Sequence, residues 1–398
     1  MIYIGIDIGK YHHEALALDR DGQILSKPIR FANSKTGFDR FNAYLKQFTV
    51  SGELSSSCGV KLACEATGHY WMNLYHFLKE EGLLVIVVNP LQTQAQRKAH
   101  IRRTKTDTRD ALMVAKLLRL GELHVSYVPE RQIFYLRELT RFRCGLADTV
   151  GDLKRQIIAV LDKVFPEYHT LFSDTFIKTA QAILQRNYLP SELAEINLAE
   201  LTALLKQYSR GYFKKTKAQE LIDSAKDSVG LSFLEDVAKI KLSLILPQLQ
   251  LTQESLAKVD VQIARIFRQG NYCRHLLTIP GISEVLAASI LAELGEVRRF
   301  NTLNQVVAFA GIDPSTFQSG QFKGSISNIS KRGSPYLRRA VYLATIAAVR
   351  KDPELAQYFA KKQAQGKHYT MAAMATARKL LARIFVVLKE NRPYKIRP

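Results

Sequence analysis

The sequence predicts an α/β domain over residues 1–125, a helical middle over 126–272 and a mostly helical C-terminal domain over 273–398. Short β-branched runs alternate with helical patterns in the first part. The middle is rich in Leu, Lys, Glu and Gln and has few strand signals, and a loop rich in Gly and Ser separates helical patterns in the last part. A chain of 398 residues is long enough for two or three such domains.

The N-terminal part reads as three strands and then a helix, a strand, a helix, a strand and a helix. The predicted strands cover 3–7, 13–18, 23–31, 60–64 and 83–88, and the predicted helices cover 38–48, 70–81 and 107–120. The turn signal Asp19-Arg20-Asp21-Gly22 separates the second strand from the third. This order of elements is that of an RNase H-like α/β fold.

The middle contains two long predicted helices, 132–164 and 233–269, with shorter ones around 172–185 and 193–208 between them. The second long helix carries a partial heptad stripe, which Pro247 interrupts, made of Leu234, Val237, Ile240, Leu244 and Leu251. A helical hairpin or coiled-coil insertion fits this spacing. An ordinary helical domain that packs on itself fits the periodicity equally well.

The C-terminal part opens with the turn 279–283, Ile-Pro-Gly-Ile-Ser, ahead of a helix over 284–294. This turn resembles half of a helix-hairpin-helix element, in which amides at a helix N-terminus receive a phosphate. A tight turn between packed helices is the alternative. A loop over 311–334 follows, and then helices over 335–350, 353–362 and 369–390.

The charge of the chain indicates a polyanionic partner. The net charge is +21, and residues 273–398 hold 20 Lys and Arg against 7 Asp and Glu, a net +13. Nucleic acid is the commonest polyanion. No run of eighteen apolar residues predicts a membrane span, and the N-terminus has no secretory pattern. The four cysteines form no CxxC pair, so we expect no zinc site, no disulfide framework and a reduced, cytoplasmic setting.

Four acids in the N-terminal part are candidate metal ligands. Asp7 ends the first strand and Glu65 follows the fourth, and these strands are neighbours in an RNase H-like sheet. Asp107 and Asp110 are three residues apart at the start of a helix, which places them on one face. Paired divalent ions, which suit cleavage of a DNA phosphate, need such carboxylates. Oxygen ligands favour Mg²⁺, with Mn²⁺ as the alternative.

Each acid also has a structural interpretation. Asp7 and Glu65 could be a turn residue and a strand end, and Asp107 and Asp110 could be helix N-terminal or surface charges. Two features favour a shared role. The first is that Asp7 stands in the apolar run Ile-Gly-Ile-Asp-Ile-Gly, where a lone acid is costly to bury.

The second feature is the basic stretch just before Asp107, with Arg102, Arg103 and Lys105, which suits DNA phosphates beside the metals. A solvated helix face explains this stretch equally well. The Gly-Ile-Asp-Ile-Gly run also occurs in actin-like ATPases and sugar kinases. The downstream Asp-Gly-Gly phosphate loop of those enzymes is missing here, and the basic charge disfavours a small-molecule kinase.

Several blocks agree in order and spacing with one family. They are Glu-Ala-Thr-Gly-His-Tyr at 65–70, Lys-Thr-Asp-Thr-Arg-Asp-Ala at 105–111, Phe-Ala-Gly-Ile-Asp-Pro at 309–314, Gln-Ser-Gly at 318–320, Ile-Ser-Lys-Arg-Gly at 329–333 and Leu-Arg-Arg-Ala at 337–340. The chain closely resembles the bridge-RNA-guided insertion-sequence transposases, relatives of the Piv-type DNA invertases. The resemblance covers roughly residues 1–120 and 273–390.

This resemblance implies a RuvC-like domain whose metal site is Asp7, Glu65, Asp107 and Asp110, and a C-terminal transposase domain with a nucleophilic serine at Ser319. The chemistry of the loop alone does not choose Ser319 over Ser315, Ser325, Ser327, Ser330 and Ser334. Around Ser319, a phosphate-contacting surface would comprise Lys323, Lys331, Arg332, Arg338 and Arg339.

The resemblance also implies partners: donor and target DNA, a structured guide (bridge) RNA and further copies of the chain in a dimer or tetramer. No membrane partner is expected, and the setting would be a bacterial cytoplasm, with the protein on the nucleoid when it binds DNA. Two other functions stay open. A RuvC-like junction resolvase or nuclease would use only the metal site, and a nucleic-acid-binding scaffold would need neither the acids nor Ser319.

Overall fold

The computed structural model describes residues 1–48, 59–90, 92–93, 106–123, 125–270, 272, 274–314, 318–319, 322–323 and 329–396. For 318–319 and 322–323 it describes the backbone alone. The chain divides into two compact units, Met1–Val128 and Pro129–Pro398. None of the helices in the described ranges combines the length and the apolar run that crossing a bilayer requires.

The first unit is built on a mixed five-stranded sheet. The strands are β1 (Ile2–Ile8), β2 (His12–Leu18), β3 (Ile29–Ala32), β4 (Val60–Glu65) and β5 (Val85–Val88), and the helices are α1 (Lys35–Lys46), α2 (Trp71–Glu80) and α3 (Asp107–Leu120). The strand order is β3-β2-β1-β4-β5, with β1 antiparallel to β2 and parallel to β4. This mixed sheet and its helices are compatible with the predicted RNase H-like fold.

The third strand is shorter than predicted. The sequence predicts it from residue 23, whereas β3 begins at Ile29. Pro28, directly before it, has no N–H to donate to a ladder, which restricts proline to the starts and edges of strands. Only an isolated bridge, Leu18 with Ile24, remains from the predicted first half.

The two faces of the sheet pack against different helices. Ile4, Ile6 and Ile8 of β1 lie in one core together with residues of α1 and α2. The alternate residues face α3, which starts at the carboxyl end of β1. Gly5 permits this packing, because a Cβ there would lie 2.2 Å from the Ala111 carbonyl oxygen and 2.3 Å from the Ala115 nitrogen.

The second unit contains two long helices that run antiparallel and connect two hydrophobic cores. The long helices are α4 (Arg131–Val164) and α10 (Glu235–Gln269), and one core forms around α5 (Tyr168–Leu171), α6 (Lys178–Gln185), α7 (Pro190–Glu195), α8 (Leu198–Tyr208) and α9 (Lys215–Lys226). The start of α4 and the end of α10 enter the other core, through Leu136 and Phe267. The two predicted long helices are thereby confirmed.

The other core holds the C-terminal helices. They are α11 (Glu284–Leu294), α12 (Leu303–Ala310), α13 (Pro335–Val349), α14 (Pro353–Ala364) and α15 (Tyr369–Glu390). Between α12 and α13 lies a short antiparallel pair, β6 (Gln318–Ser319) and β7 (Phe322–Lys323). The predicted limits of α11 and α15 match the structure.

Four of the five residues of the predicted heptad stripe face away from the core, and only Leu234, directly before α10, packs against it. The buried face consists of Ala238, Leu242, Leu246 and Leu249, whereas the stripe residues Val237, Ile240, Leu244 and Leu251 are 47%, 63%, 61% and 65% exposed. Pro247 lies inside the helix on its exposed side, so the carbonyl that it frees can be solvated. The helix is therefore as predicted, but the core uses a different face of it.

Candidate active site

Asp7 and Glu65 lie side by side at the carboxyl ends of β1 and β4. The two strands are parallel, and Ile6 pairs with Cys64, so the next residue on each strand is a carboxylate. Neighbouring strands are about 4.8 Å apart. Glu65 is buried, and the Thr93 hydroxyl donates to its Oε2 at 2.9 Å. Cys64 points to the opposite core, away from these carboxylates, and burial there raises the pKa of its thiol to about 12.

Helix α3 delivers the other two predicted acids to this edge. Thr106 caps the helix, because its hydroxyl accepts from the Arg109 amide at 3.3 Å. Asp110 is buried on the side that faces the sheet, whereas Asp107, one turn before Ala111, is exposed. Both stand in the first turn, where the helix dipole favours negative charge. The structure therefore brings all four acids to one end of the sheet.

Glu14 is a further acid at this edge, and the sequence reading missed it. Asp7 pairs with Glu14 across the antiparallel β1–β2 ladder, so both side chains lie on the α3 face. The Thr108 hydroxyl, between Asp107 and Asp110, donates to Glu14 Oε1. A signal was available, since Glu14 is the single charged residue in a strand whose Leu16 and Leu18 pack against α3.

These acids are placed on one face without forming a ready-made cage. Within the described ranges, no group of three or more His, Cys, Asp or Glu side chains is arranged to hold a metal ion. Three of them, Glu14, Asp7 and Glu65, nevertheless occupy adjacent positions on three neighbouring strands. Like charges at paired positions repel each other. Carboxylate oxygens are also the donors that Mg²⁺ prefers, so the donor set fits a divalent cation.

Ser319 is the last residue of β6 and pairs with Phe322, the first residue of β7. It therefore lies at the closed end of a short hairpin within the loop 311–334. Asp313, the one acid of this loop, accepts from the Ser330 hydroxyl at 2.5 Å. This contact gives Asp313 a role in holding the loop.

The base of the loop is closed by contacts between its two ends. Ser330 donates its amide to the Asp313 carbonyl at 2.8 Å, and Lys331 donates to the Gly311 carbonyl at 3.1 Å. A Cβ on Gly333 would lie 2.1 Å from the Phe309 carbonyl oxygen, so only glycine fits there. The loop that carries Ser319 thus has a tightly packed base.

Two family models match the chain at the ends where these features lie. One, described as Transposase and of the DEDD type found in IS110, matches residues 4–166. The other, described as Transposase IS116/IS110/IS902 family, matches residues 273–360. The chain belongs to the IS110/IS116 family of insertion-sequence transposases. It is therefore a DNA transposase, and its DEDD domain indicates the use of a divalent metal ion.

Relatives of this transposase align over nearly its whole length. The insertion element IS900 uncharacterized 42 kDa protein of Mycobacterium paratuberculosis is 22% identical, over 99% of this chain and 97% of the relative. The mini-circle putative transposase for IS117 of Streptomyces coelicolor is 25% identical, over 99% and 95%. The pilin gene-inverting protein of Moraxella lacunata is also 25% identical, over 98% and 97%.

The predicted basic surface of this transposase is only partly free for a nucleic acid. Lys331 and Arg332 are exposed. Arg338 donates to the Ala310 carbonyl at 3.2 Å, and Arg339 forms an ion pair of 2.7 Å with Asp148. These two arginines therefore hold the loop base and α4. The side chain of Lys323, and the whole of Arg102, Arg103 and Lys105, lie outside what the structure describes.

A buried carboxylate joins the loop base to α4. Glu293, at the end of α11, is 2% exposed and accepts from Arg141 at 2.7 and 3.0 Å. The hydroxyl of Ser334, the N-cap of α13, also donates to it at 2.8 Å. Arg141 lies over the ring of Tyr336, 4.7 Å from its centroid. Glu293 also lines a cavity of about 230 Å³ between α4, α11 and α13.

The turn before α11 is packed against the protein. A Cβ on Gly281, whose φ is 89°, would lie 2.5 Å from the Ala348 nitrogen. Ser283 caps α11 by accepting from the Leu286 amide at 3.3 Å. The Arg268 guanidinium binds Glu284 and lowers the pKa of that carboxyl. These contacts fit the tight turn between packed helices that the sequence left open.

Proposed function

We propose that this transposase joins donor and target DNA under the guidance of a structured RNA. In this proposal Asp7, Glu65, Asp107 and Asp110 hold the divalent metal, and Ser319 is the nucleophile. The observation that carries the proposal is the convergence of β1, β4 and the start of α3, which brings the four carboxylates to one end of the sheet. The DEDD type of the matching family model supports the same set of acids.

The metal ion would be Mg²⁺, with Mn²⁺ as the alternative. When bound, it offsets negative charge on the scissile phosphate. The chain itself holds two of the four proposed ligands in place. Glu65 is held by Thr93, and Asp110 is buried on the sheet-facing side of α3, so both carboxylates are restrained before any substrate arrives. Restrained ligands lose little freedom on binding the ion, which favours tight and well-oriented coordination.

The proposed serine reaction needs no ATP, because each phosphate ester bond that breaks is replaced by another. The Ser319 hydroxyl oxygen attacks the phosphorus and gives up its proton, the bond from phosphorus to one deoxyribose oxygen breaks, and that oxygen takes a proton as it leaves. The new phosphoserine ester keeps the energy of the broken bond, so a second deoxyribose hydroxyl can displace Ser319 and reseal a strand. A serine hydroxyl is a weak nucleophile and needs activation. We place that activation in the acid site, which requires the two units to meet within one chain or between protomers.

Guidance by RNA rests on the resemblance of the sequence blocks to bridge-RNA-guided transposases. Base pairing would then read both DNA partners, and the protein would hold backbone and shape through Arg102, Arg103, Lys105, Lys323, Lys331 and Arg332, while Arg338 and Arg339 hold the loop base and α4 beside them. The net charge of +13 on residues 273–398 supports this role of the protein in holding the nucleic-acid backbone. We propose further that the protein works as a dimer or tetramer on nucleoid DNA in a bacterial cytoplasm.

Recombination by substituted proteins tests the proposal. Asp7→Asn and Ser319→Ala should each lower recombination between donor and target plasmids at least 100-fold, because one removes a metal ligand and the other the nucleophile. Ser327→Ala, in the same loop, is the matched control and should recombine like the parent protein. Cleavage that survives Ser319→Ala would identify a nuclease that uses only the metal site. Recombination that survives Asp7→Asn would exclude the proposed site.

A further inference from the structure

We propose that Glu14 is a positioning residue of the acid site, which acts by holding Thr108 and with it the first turn of α3. This inference rests on the proposed metal site and adds to it a residue outside the four predicted acids. It starts from one contact, the hydrogen bond from the Thr108 hydroxyl to Glu14 Oε1. Thr108 stands between Asp107 and Asp110, so the contact joins β2 to the segment that carries both acids.

The first support is the position at which α3 is otherwise held against the sheet. Its body is fixed at Gly5, where the backbone of Ala111 and Ala115 touches β1. Asp107 precedes Ala111 by four residues, which is about 6 Å along a helix axis. A tilt of about 10° around the Gly5 contact would then move Asp107 by about 1 Å. A displacement of this size at a catalytic group lowers rates by roughly 100-fold.

The Glu14 contact opposes that tilt, because it holds the first turn of α3, which would otherwise move as the helix tilts around the Gly5 contact. Glu14 pairs with Asp7, two residues beyond the pairing of Gly5 with Leu16. The contact therefore holds the first turn of α3 at the level of Asp7 in the sheet. A hydrogen bond to an ionised carboxylate is shorter and stronger than one between neutral groups.

The second support is the cost of keeping an acid at this position. Glu14 faces Asp7 directly, and like charges at paired strand positions destabilise a sheet. Its strand neighbours on this face, Leu16 and Leu18, are apolar and pack against α3. An acceptor for Thr108, next to a site that attracts a cation, explains an acid here. A merely solvated surface position would not explain the contact with α3.

Two pairs of variants separate positioning from its alternatives. Thr108→Val removes the hydroxyl with little change of shape, and Thr108→Ser keeps it. Glu14→Ala removes the acceptor, and Glu14→Gln keeps a carbonyl oxygen that still accepts. Thr149→Val is the matched control, since the Thr149 hydroxyl donates only to the Gly145 carbonyl on the exposed side of α4.

The readouts are the Mn²⁺ concentration that gives half of the metal-induced rise in melting temperature, and the recombination rate at saturating Mg²⁺, both with the full chain. Thr108→Val and Glu14→Ala should raise that concentration about tenfold and lower the rate 10- to 100-fold. Thr108→Ser and Glu14→Gln should restore both values to within about threefold of the parent. Melting temperatures without metal report whether each variant is folded.

Each other outcome overturns the inference. If Thr108→Val matches Thr149→Val in both readouts, the contact positions nothing. If Glu14→Gln is as impaired as Glu14→Ala while Thr108→Val is normal, Glu14 is itself a ligand. Asp7→Asn keeps the two proposals apart: if it leaves the Mn²⁺-induced rise unchanged, the proposed metal site fails whatever Glu14 does.

Discussion

Single residues define the proposed metal site of this transposase. Asp7 and Glu65 could be recognised from the sequence because each interrupts or ends an apolar strand. Glu14 was harder to recognise, because the single acid of a strand also fits an ordinary exposed position. Only the β1–β2 register shows that Glu14 faces Asp7 and Thr108. Likewise, the sequence shows that Gly5 precedes Asp7 but not that the backbone of α3 lies directly against it.

A titration tests the packing of the opposite face of β2. His13 lies between the rings of Phe31 and Phe38, and burial lowers its pKa from 6.5 to about 4. As the pH falls below 6.5 the unfolded chain takes up this proton first, so stability is lost between about pH 6.5 and 4. We expect His13→Leu to reduce that loss by about 2 kcal/mol in urea unfolding. His12→Gln, at an exposed neighbour, should follow the parent curve, and equal curves for all three proteins would refute the assignment.

At the scale of elements, periodicity predicted most helices but not always their buried faces. The limits of α3, α11 and α15 follow from caps and apolar spacing that the sequence displays. In α10 the core contacts Ala238, Leu242 and Leu249, whereas Val237, Ile240, Leu244 and Leu251 of the predicted stripe are exposed. Periodicity identifies an apolar face, whereas contact with a particular neighbour depends on how the chain folds back. For the same reason, the sequence does not show that the two ends of the serine loop are held together by hydrogen bonds.

The pair formed by Glu293 and Arg141 should be the main electrostatic anchor of that loop base. Glu293→Ala leaves a half-buried guanidinium and the Ser334 hydroxyl without their acceptor, so we expect a loss of about 3 kcal/mol in the free energy of unfolding. Glu284→Ala on the same helix is the matched control. It breaks a similarly paired contact with Arg268 that is far more exposed, and the loss should be clearly smaller because solvent screens an exposed ion pair. Equal losses in guanidinium unfolding would contradict the role of Glu293.

At the scale of the whole molecule, the two units carry complementary halves of one proposed chemistry. The first unit concentrates carboxylates at one end of its sheet, and residues 273–398, which include the serine loop, carry a net charge of +13. Composition and motif order were enough to predict the family, and both halves of the proposed site stay predictions. They could not give the contacts that hold each half, because those join residues far apart in sequence, such as Arg141 and Glu293.

The most direct test of the central claim is to locate the covalent link between this transposase and DNA. Purified protein with the proposed guide RNA, Mg²⁺ and donor DNA would be denatured during the reaction, digested with nuclease and protease, and examined by mass spectrometry. We predict a deoxynucleotide phosphate on the peptide that contains Ser319, and its loss in both Ser319→Ala and Asp7→Asn. An adduct on another residue, or one that persists in Ser319→Ala, would contradict the account.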